Sequence, residues 1–279
     1  MIRSPAWRFV SLASACALAG SGFAGDPQAA DSGCTMRVES DLFADGASEP
    51  VARSLTLFEN GVAWDFLELP PREGAAAAEQ PALQLAEIVL HDPARQRVVV
   101  IDPRRDLKTQ VETVRLERLS VSLARWARTA DDRLVRWAGG PDFDAGLTEN
   151  EASLELVGPR VRYAVAYEAA PSPEAAGAYR EFADTAILLR ALLHPGGIPP
   201  FPRLALNRRL EAAGAIPAEV TLEIDRGLAI LPGASRMRCV HRVHPRLLAA
   251  DGKRIAEAQA HVAAATAVDV AAFVARRGE

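Results

Sequence analysis

Lysine and cysteine are scarce in this chain of 279 residues. Only Lys108 and Lys253 are lysines, so nearly all of the 32 basic residues are arginine. The 36 acidic residues outnumber them and give a formal net charge of −4. Proteins that collect nucleic acid normally carry a net basic field, which this chain lacks. We therefore expect no nucleic acid as a partner.

The motifs of common enzymes are also missing. The sequence has no G-x-S-x-G nucleophile turn, and Gly252-Lys253 lacks the preceding glycine loop that holds phosphate. Cys239, His241 and His244 are close in sequence, but on a strand the first two share one face and His244 lies on the other, so three metal ligands do not converge. We predict a non-enzymatic protein without a cofactor or a metal site.

Long apolar runs are limited to the first residues. The segment Phe9 to Ala19 follows two arginines and precedes small residues, a pattern typical of an export signal. It is shorter than the roughly 20 residues that a membrane span needs. An A-x-A pattern predicts cleavage after Ala19, and a similar pattern predicts it after Ala24. Lipidation of Cys16 is the alternative for this segment.

This signal sets the expected organisation and location of the protein. We predict a signal peptide over residues 1–24, a flexible tether over 25–35 and a single domain over 36–279, in a periplasmic or secreted protein. Loss of Arg3 and Arg8 with the signal would change the formal net charge from −4 to −6. Cys34 and Cys239 would remain in an oxidising compartment, which favours a disulfide between them, although two separate buried thiols are the alternative.

Alternating apolar residues predict a series of antiparallel strands. The first three cover 36–43, 52–58 and 62–69, and Asn60-Gly61 supplies the left-handed backbone of a tight hairpin turn. The unit D-P-x-R occurs at 92–95 and again at 102–105, where aspartate and proline favour turns. Further strands are predicted over the ranges 86–91, 96–101, 152–157, 161–167, 219–224 and 235–243.

Apolar residues three and four positions apart predict two long amphipathic helices, over 112–138 and 173–193. Shorter helices are predicted at 203–213 and 251–265, the latter with Asp251 as its N-cap. The predicted fold is α+β: a curved antiparallel sheet, formed as a meander of hairpins, packed by the two long helices and the shorter C-terminal ones.

Arginines alternate with apolar residues on several of these strands. Arg162, Arg236, Arg238 and Arg242 would line one sheet face with positive charge. The simplest interpretation is a solvated outer face. The alternative is contact with an anionic lipid headgroup or an acidic partner, and hence a peripheral association with the envelope.

The stretches SLTLFENGVAWDFLEL, from Ser54, and AEIVLHDPARQRVVVIDPRR, from Ala86, resemble hairpins of the periplasmic outer-membrane lipoprotein carriers, the LolA-like proteins, and their uncharacterised relatives. The resemblance covers about residues 36–110. It implies an exported protein whose curved antiparallel sheet holds helices in its concavity. It also implies an acyl chain in the apolar space between them, and hence a lipid or a lipoprotein as the partner.

The resulting functional hypothesis is the binding or carriage of an apolar ligand such as a lipid or a lipoprotein acyl chain. Such sites are lined mainly by apolar side chains. The expected lining consists of two strand residues and five helix residues: Trp64, Phe66, Leu119, Leu123, Trp126, Leu134 and Trp137. The alternative is an envelope structural or protein-interaction module whose striped faces are fully used by its own core.

Overall fold

A computed structural model describes residues 34–71, 83–225 and 236–277 of the chain. The predicted signal segment and its predicted cleavage sites lie outside these residues. The strands are β1 (Met36–Ala44), β2 (Ala52–Glu59), β3 (Val62–Leu69), β4 (Gln84–Asp92), β5 (Arg97–Asp102), β6 (Leu107–Glu112), β7 (Leu147–Asn150), β8 (Ser153–Gly158), β9 (Val161–Ala169), β10 (Ala215–Ile224), β11 (Arg236–His244) and β12 (Thr266–Ala267).

The helices are α1 (Thr113–Arg128), α2 (Arg133–Ala138), α3 (Pro173–Leu193), α4 (Phe201–Ala212), α5 (Ala249–Ala264) and α6 (Val270–Arg277). Short 3-10 turns occur at Pro93–Arg95 and Asp144–Gly146. No helix within the described ranges is both long enough and apolar enough to cross a bilayer.

The described strands form one curled, open sheet in the order β12-β6-β5-β4-β3-β2-β1-β11-β10-β9-β8-β7. All neighbours are antiparallel except β12, which pairs parallel with β6. The first six strands run as a meander, and β11 joins them to the second group by pairing with β1. The structure therefore confirms the predicted α+β class and the curved antiparallel sheet.

Helices cover both faces of this sheet. We call the face under α3 and α4 the inner face; it carries Met36, Val38, Val89 and Val100, which pack with residues of α3. The opposite, outer face is covered by α5 across β2 to β5, where Ile255 of the helix joins Trp64 and Phe66 in one cluster. Because strand side chains alternate, β2 to β5 each contribute residues to both faces.

Local turn chemistry agrees with the sequence predictions. Asn60 and Gly61 have φ values of 53° and 74°, as the predicted hairpin turn requires. The Asp92 carboxylate accepts a hydrogen bond from the Arg95 backbone N–H at 3.2 Å, and that of Asp102 accepts one from the Arg104 N–H at 3.1 Å. Both carboxylates therefore stabilise turns.

The prediction of one helix over 112–138 is wrong. Helix α1 ends at Arg128, and α2 begins after Asp132, whose side chain accepts hydrogen bonds from the Leu134 and Val135 N–H groups at 2.8 and 2.9 Å. An aspartate in this extended N-cap conformation starts a new helix. The long second helix, α3, is present over its predicted range.

The prediction of Asp251 as an N-cap also needs correction. Leu248 is the N-cap of α5, and Asp251 lies in its first turn. The Asp251 carboxylate accepts a hydrogen bond from the Leu248 N–H at 2.7 Å, so it still stabilises the start of the helix. Strands β6, β7 and β12 and helix α6 are additional to the predicted elements.

The arginines of the outer face are paired with carboxylates. Arg162 contacts Glu155 and Glu223, Arg236 contacts Glu223, Arg238 contacts Glu219, and Arg242 contacts Glu39 and Asp41. These pairs place opposite charges side by side on neighbouring strands. They favour the interpretation of this surface as a solvated outer face.

Candidate functional site

The seven residues predicted to line an apolar site lie in different places. Trp64 and Phe66 are buried on the outer face against α5. Leu134 is buried on the inner side, where Trp137 is partly buried against the same cluster and meets Phe143 edge-on at 5.3 Å between ring centroids. The sheet itself separates the strand residues from the helix residues, so the structure does not bring the seven together.

The stripe predicted along α1 is only partly buried. Leu116 and Ala127 face the interior, and Leu119 and Leu123 are half-buried. Trp126 is 55% exposed because Ala127, one position later, takes the buried side of the turn. Trp126 therefore belongs to the surface of the protein.

The two described cysteines are free. Cys239 on β11 pairs with Leu42 of β1, whereas Cys34 precedes the first residue of β1. Cys34 is eight positions from Leu42, which is roughly 25 Å along extended chain at the usual strand rise. A disulfide needs Cα atoms within about 7 Å, so the predicted bridge does not form in this fold. Burial raises the pKa of the Cys239 thiol to about 12.

A group of buried polar side chains lies between the inner face and helices α3 and α4. We call it the polar centre; its members are Tyr179, Asp184, Arg203, Asn207 and His241. Each has at least one buried side-chain nitrogen or oxygen without a hydrogen-bond partner in the described part of the chain. Native proteins leave few such atoms unpaired, because each costs free energy.

Arg203 is the most unusual member of the polar centre. It lies in the first turn of α4 and is 2% exposed, and none of its three guanidinium nitrogens has a hydrogen-bond partner among the described residues. The ionisable groups close enough to interact with it are Tyr179, Cys239, Tyr163 and Asp184. Burial lowers the pKa of this guanidinium, but arginine keeps its proton at any ordinary pH. A positive charge is therefore held inside the protein.

Asp184 interacts with this charge but makes no hydrogen bond to the guanidinium. It is 2% exposed on α3, and burial raises the pKa of its carboxyl to about 9. The Asn207 amide donates to one of its oxygens at 3.4 Å, and Arg180 Nε is 3.6 Å from the other. Burial therefore favours the protonated, neutral form of the Asp184 carboxyl.

His241 is neutral as well. Burial is the main cause that lowers its pKa to about 3, and Arg203 lowers it further. Its Nδ1 is 2.7 Å from the Ser40 hydroxyl, and its Nε2 has no partner among the described residues. If Nδ1 accepts from Ser40, then Nε2 carries the proton and is a free donor. The Tyr179 ring lies edge-on to this imidazole at 6.3 Å.

Other buried acidic groups on the inner face have partners. Glu87 on β4 is fully buried and contacts Arg190 of α3. Asp65 on β3 accepts hydrogen bonds from Ser54 and, at 2.8 Å, from Thr56, although burial is the larger effect and raises the pKa of its carboxyl. Arg203 differs from these residues because none of its guanidinium nitrogens has a hydrogen-bond partner in the described part of the chain.

Apolar clusters adjoin the polar centre on the inner face. One, which we call the β8–β11 cluster, includes Leu156, Val165, Val220 and Met237 of the sheet with Leu206 of α4. Tyr163 and Cys239, which interact with Arg203, belong to it. The other lies under the C-terminal half of α3, where Leu189 and Leu193 meet β4 to β6. The inner face thus combines apolar surface with a central group of polar atoms.

Two open cavities lie elsewhere, at the surface. The first has a volume of about 520 Å³ and is lined by Arg162, Glu223 and Arg236 among others. The second, of about 350 Å³, lies beside Phe43, Glu219 and Arg238. Neither contains a residue of the polar centre or of the predicted lining.

The polar centre was not predicted from the sequence, although α4 carried a signal. Arg203 and Asn207 are one turn apart and share a helix side with Leu206 and Leu210. Two polar residues within an apolar stripe indicate either a helix edge or a buried polar site, and the structure shows the latter.

Comparison with known proteins gives little beyond this geometry. No protein-family model matches the sequence, and no curated protein matches it. Among solved structures, a LolA superfamily protein from Nitrosomonas europaea matches with 10% sequence identity and a TM-score of 0.24, covering 79% of this chain and 89% of that chain. This superfamily is the one that the sequence resembles.

Proposed function

We propose that this protein is an exported, non-enzymatic carrier that holds an apolar chain between the inner face and helices α3 and α4. The ligand would be a lipid or a lipoprotein acyl chain. The observation that carries the proposal is the unpaired polar centre beside the β8–β11 cluster. Arg203, buried without a hydrogen-bond partner among the described residues, does not stabilise the fold, since an apolar side chain of similar volume would be at least as stable there. Its presence therefore favours a role in binding.

The layer formed by α3 and α4 suits the entry of a ligand. The segment between the two helices, 194–200, begins with exposed residues and contains glycines and prolines. Gly196 has a φ of 108°, which a residue with a side chain rarely adopts. Helix α4 joins β10 through the short two-residue turn 213–214, so the longer segment 194–200 is the end at which this helix can move over the sheet.

Two measurements test this proposal. Native mass spectrometry of protein purified from its own envelope should show a bound lipid, and delipidated protein should bind a fluorescent fatty-acyl probe. Absence of both results would contradict carriage and favour the envelope structural or protein-interaction module.

Tryptophan quenching would locate the ligand. A brominated fatty acid quenches on contact, so it should quench Trp137, beside the β8–β11 cluster, more strongly than Trp64, under α5 on the outer face. Trp64→Phe and Trp137→Phe variants assign the signals. Stronger quenching of Trp64 would place the ligand on the wrong face of the sheet.

Helix α1 gives the proposed carrier a surface for the envelope membrane. Its exposed side carries Trp126 and Val121, 55% and 61% exposed, with Arg115, Arg118 and Arg125. None of these arginines lies within 4.0 Å of an acidic group in the described part of the chain. Exposed apolar and cationic side chains on one helix match an anionic lipid surface.

Vesicle binding tests this surface. The protein should co-sediment with vesicles that contain phosphatidylglycerol and less with pure phosphatidylcholine, and Trp126→Ala with Arg118→Glu should reduce the binding. Arg209→Glu, on the exposed side of α4, is the matched control for the change of charge. If the α1 variant and the Arg209→Glu control bind equally well, any attraction to the vesicles comes from the overall charge of the protein and not from α1.

A further inference from the structure

The polar centre has the composition of an anion-binding site. Arg203 offers the N–H donors of its guanidinium, Tyr179 offers a hydroxyl, and His241 offers Nε2 when Nδ1 accepts from Ser40. The acceptors in the group are the Asp184 carboxyl, whose Oδ1 accepts a hydrogen bond from the Asn207 amide nitrogen at 3.4 Å, and the Asn207 amide oxygen. Donors therefore outnumber acceptors around a fixed positive charge.

The unpaired buried atoms independently indicate that a ligand completes the site. All three guanidinium nitrogens of Arg203, Tyr179 Oη and His241 Nε2 are buried and have no partner in the described residues. These donors come from three elements, α3, α4 and β11, that surround one part of the inner face. A buried charge without a partner is costly, and pairing it with an opposite charge removes most of that cost.

From these contacts we infer that the polar centre binds an oxyanion, held by Arg203 with Tyr179 and His241. This inference rests on the proposed carriage and specifies its ligand: an amphiphile with one acidic headgroup, a carboxylate or a phosphate, and an apolar chain against the β8–β11 cluster. The planar guanidinium suits two parallel hydrogen bonds to either group. Tyr163 and Cys239 connect the charged end to the apolar surface, because both contact the cluster and interact with Arg203.

The same geometry predicts the orientation of the ligand. The acidic end would lie under the first turn of α4, and the chain would extend past Leu206 and Leu210 of the same helix. A neutral amphiphile of equal length would fill the apolar surface and leave the guanidinium unpaired. Selectivity for the acid over the neutral analogue is therefore the direct consequence of the site.

Three C16 probes test the inference on delipidated mature protein: palmitate, hexadecyl phosphate and hexadecanol, each measured by displacement of a fluorescent acyl probe. At least one of the two acids should bind 10-fold or more tightly than hexadecanol. Tighter binding of palmitate alone would indicate a carboxylate site, and tighter binding of hexadecyl phosphate alone would indicate a phosphate site. Equal binding of all three probes would overturn the anion site and leave carriage intact, whereas binding of none would remove carriage itself.

Variants separate the charge from the packing. Arg203→Met should lower the affinity for the acids at least 10-fold and leave that for hexadecanol unchanged or higher, whereas Arg203→Lys should keep part of the preference. Arg209→Met, on the exposed side of the same helix, is the matched control and should keep all of it. If Arg203→Met does not fold, Tyr179→Phe removes one donor and retains the ring, and a 3-fold or greater loss for the acids alone is expected. An unchanged ratio of acid to neutral binding in the folded variants would refute the assignment.

Discussion

Replacement of Arg203 by methionine should stabilise the ligand-free protein. In the folded state, the guanidinium is 2% exposed, and three of its nitrogens have no hydrogen-bond partner in the described residues. The effective cost of an unpaired buried ion is several kcal/mol, and removing the charge while filling its volume recovers much of it. Methionine is flexible and can occupy the space of the arginine stem.

We expect a gain of about 2 kcal/mol in the free energy of unfolding, because replacement of buried ionic groups by apolar side chains of similar volume stabilises proteins by about 1 to 4 kcal/mol. For a domain of this size, that gain raises Tm by roughly 4 to 8 °C. Urea titration and calorimetry of delipidated protein measure both quantities.

The control is Arg209→Met, which removes a contact of 2.7 Å to Asp144 on the surface. The two side chains are 45% and 74% exposed, so this pair should contribute little to stability and Tm should remain nearly unchanged. A Tm of Arg203→Met that falls by several degrees below the wild-type value would refute the reasoning. It would show that the folded, ligand-free protein provides hydrogen-bond acceptors for the guanidinium.

Three further predictions follow from neighbouring residues. The pKa of Asp184 is 3.8 in the unfolded protein and about 9 in the folded protein, so the free energy of unfolding falls as pH rises between these values. Asp184→Asn should therefore stabilise the protein by about 2 kcal/mol or more at pH 8 and by little at pH 3. Urea unfolding at both pH values measures the difference. Gly158→Ala should destabilise by about 1 to 3 kcal/mol in the same assay, because the new Cβ would lie 2.5 Å from the Trp137 ring, and equal stability would show that the ring moves freely. Without reductant, half-buried Cys34 should react with maleimide in native protein, and buried Cys239 only after unfolding; intact mass would reveal a disulfide if neither reacts.

The strands and turns could be predicted because their causes are local. Alternation defined β1 to β3, and Asn60-Gly61 defined the turn between the last two, since few residues accept positive φ. The break between α1 and α2 also had a local signal, Asp132 ahead of an apolar turn, but the regular spacing of Leu123, Trp126 and Ala130 hid it.

The faces of the sheet could not be assigned in the same way. Alternation shows that Trp64 and Phe66 share a face, but it does not show which helix covers that face, and the covering helix is α5, nearly 200 residues later in the chain. The burial of Arg203 likewise depends on packing against other elements, the preceding helix α3 and the strands β9 and β11. Long-range packing thus determined the parts of the candidate site that the sequence did not predict.

The two ends of the sheet affect how this molecule meets other copies of itself. An open sheet exposes unpaired backbone groups at its edges, and these invite another strand. At one end, β12 occupies the free side of β6, and the Thr266 and Val268 N–H groups donate to the Asp106 and Lys108 carbonyls at 2.7 and 2.9 Å. At the other, β7 has only four residues, and Thr148, Glu149 and Asn150 are all exposed. Both edges are therefore poor templates for strand addition, and a sheet of this width can remain free of fibre-like association at high concentration.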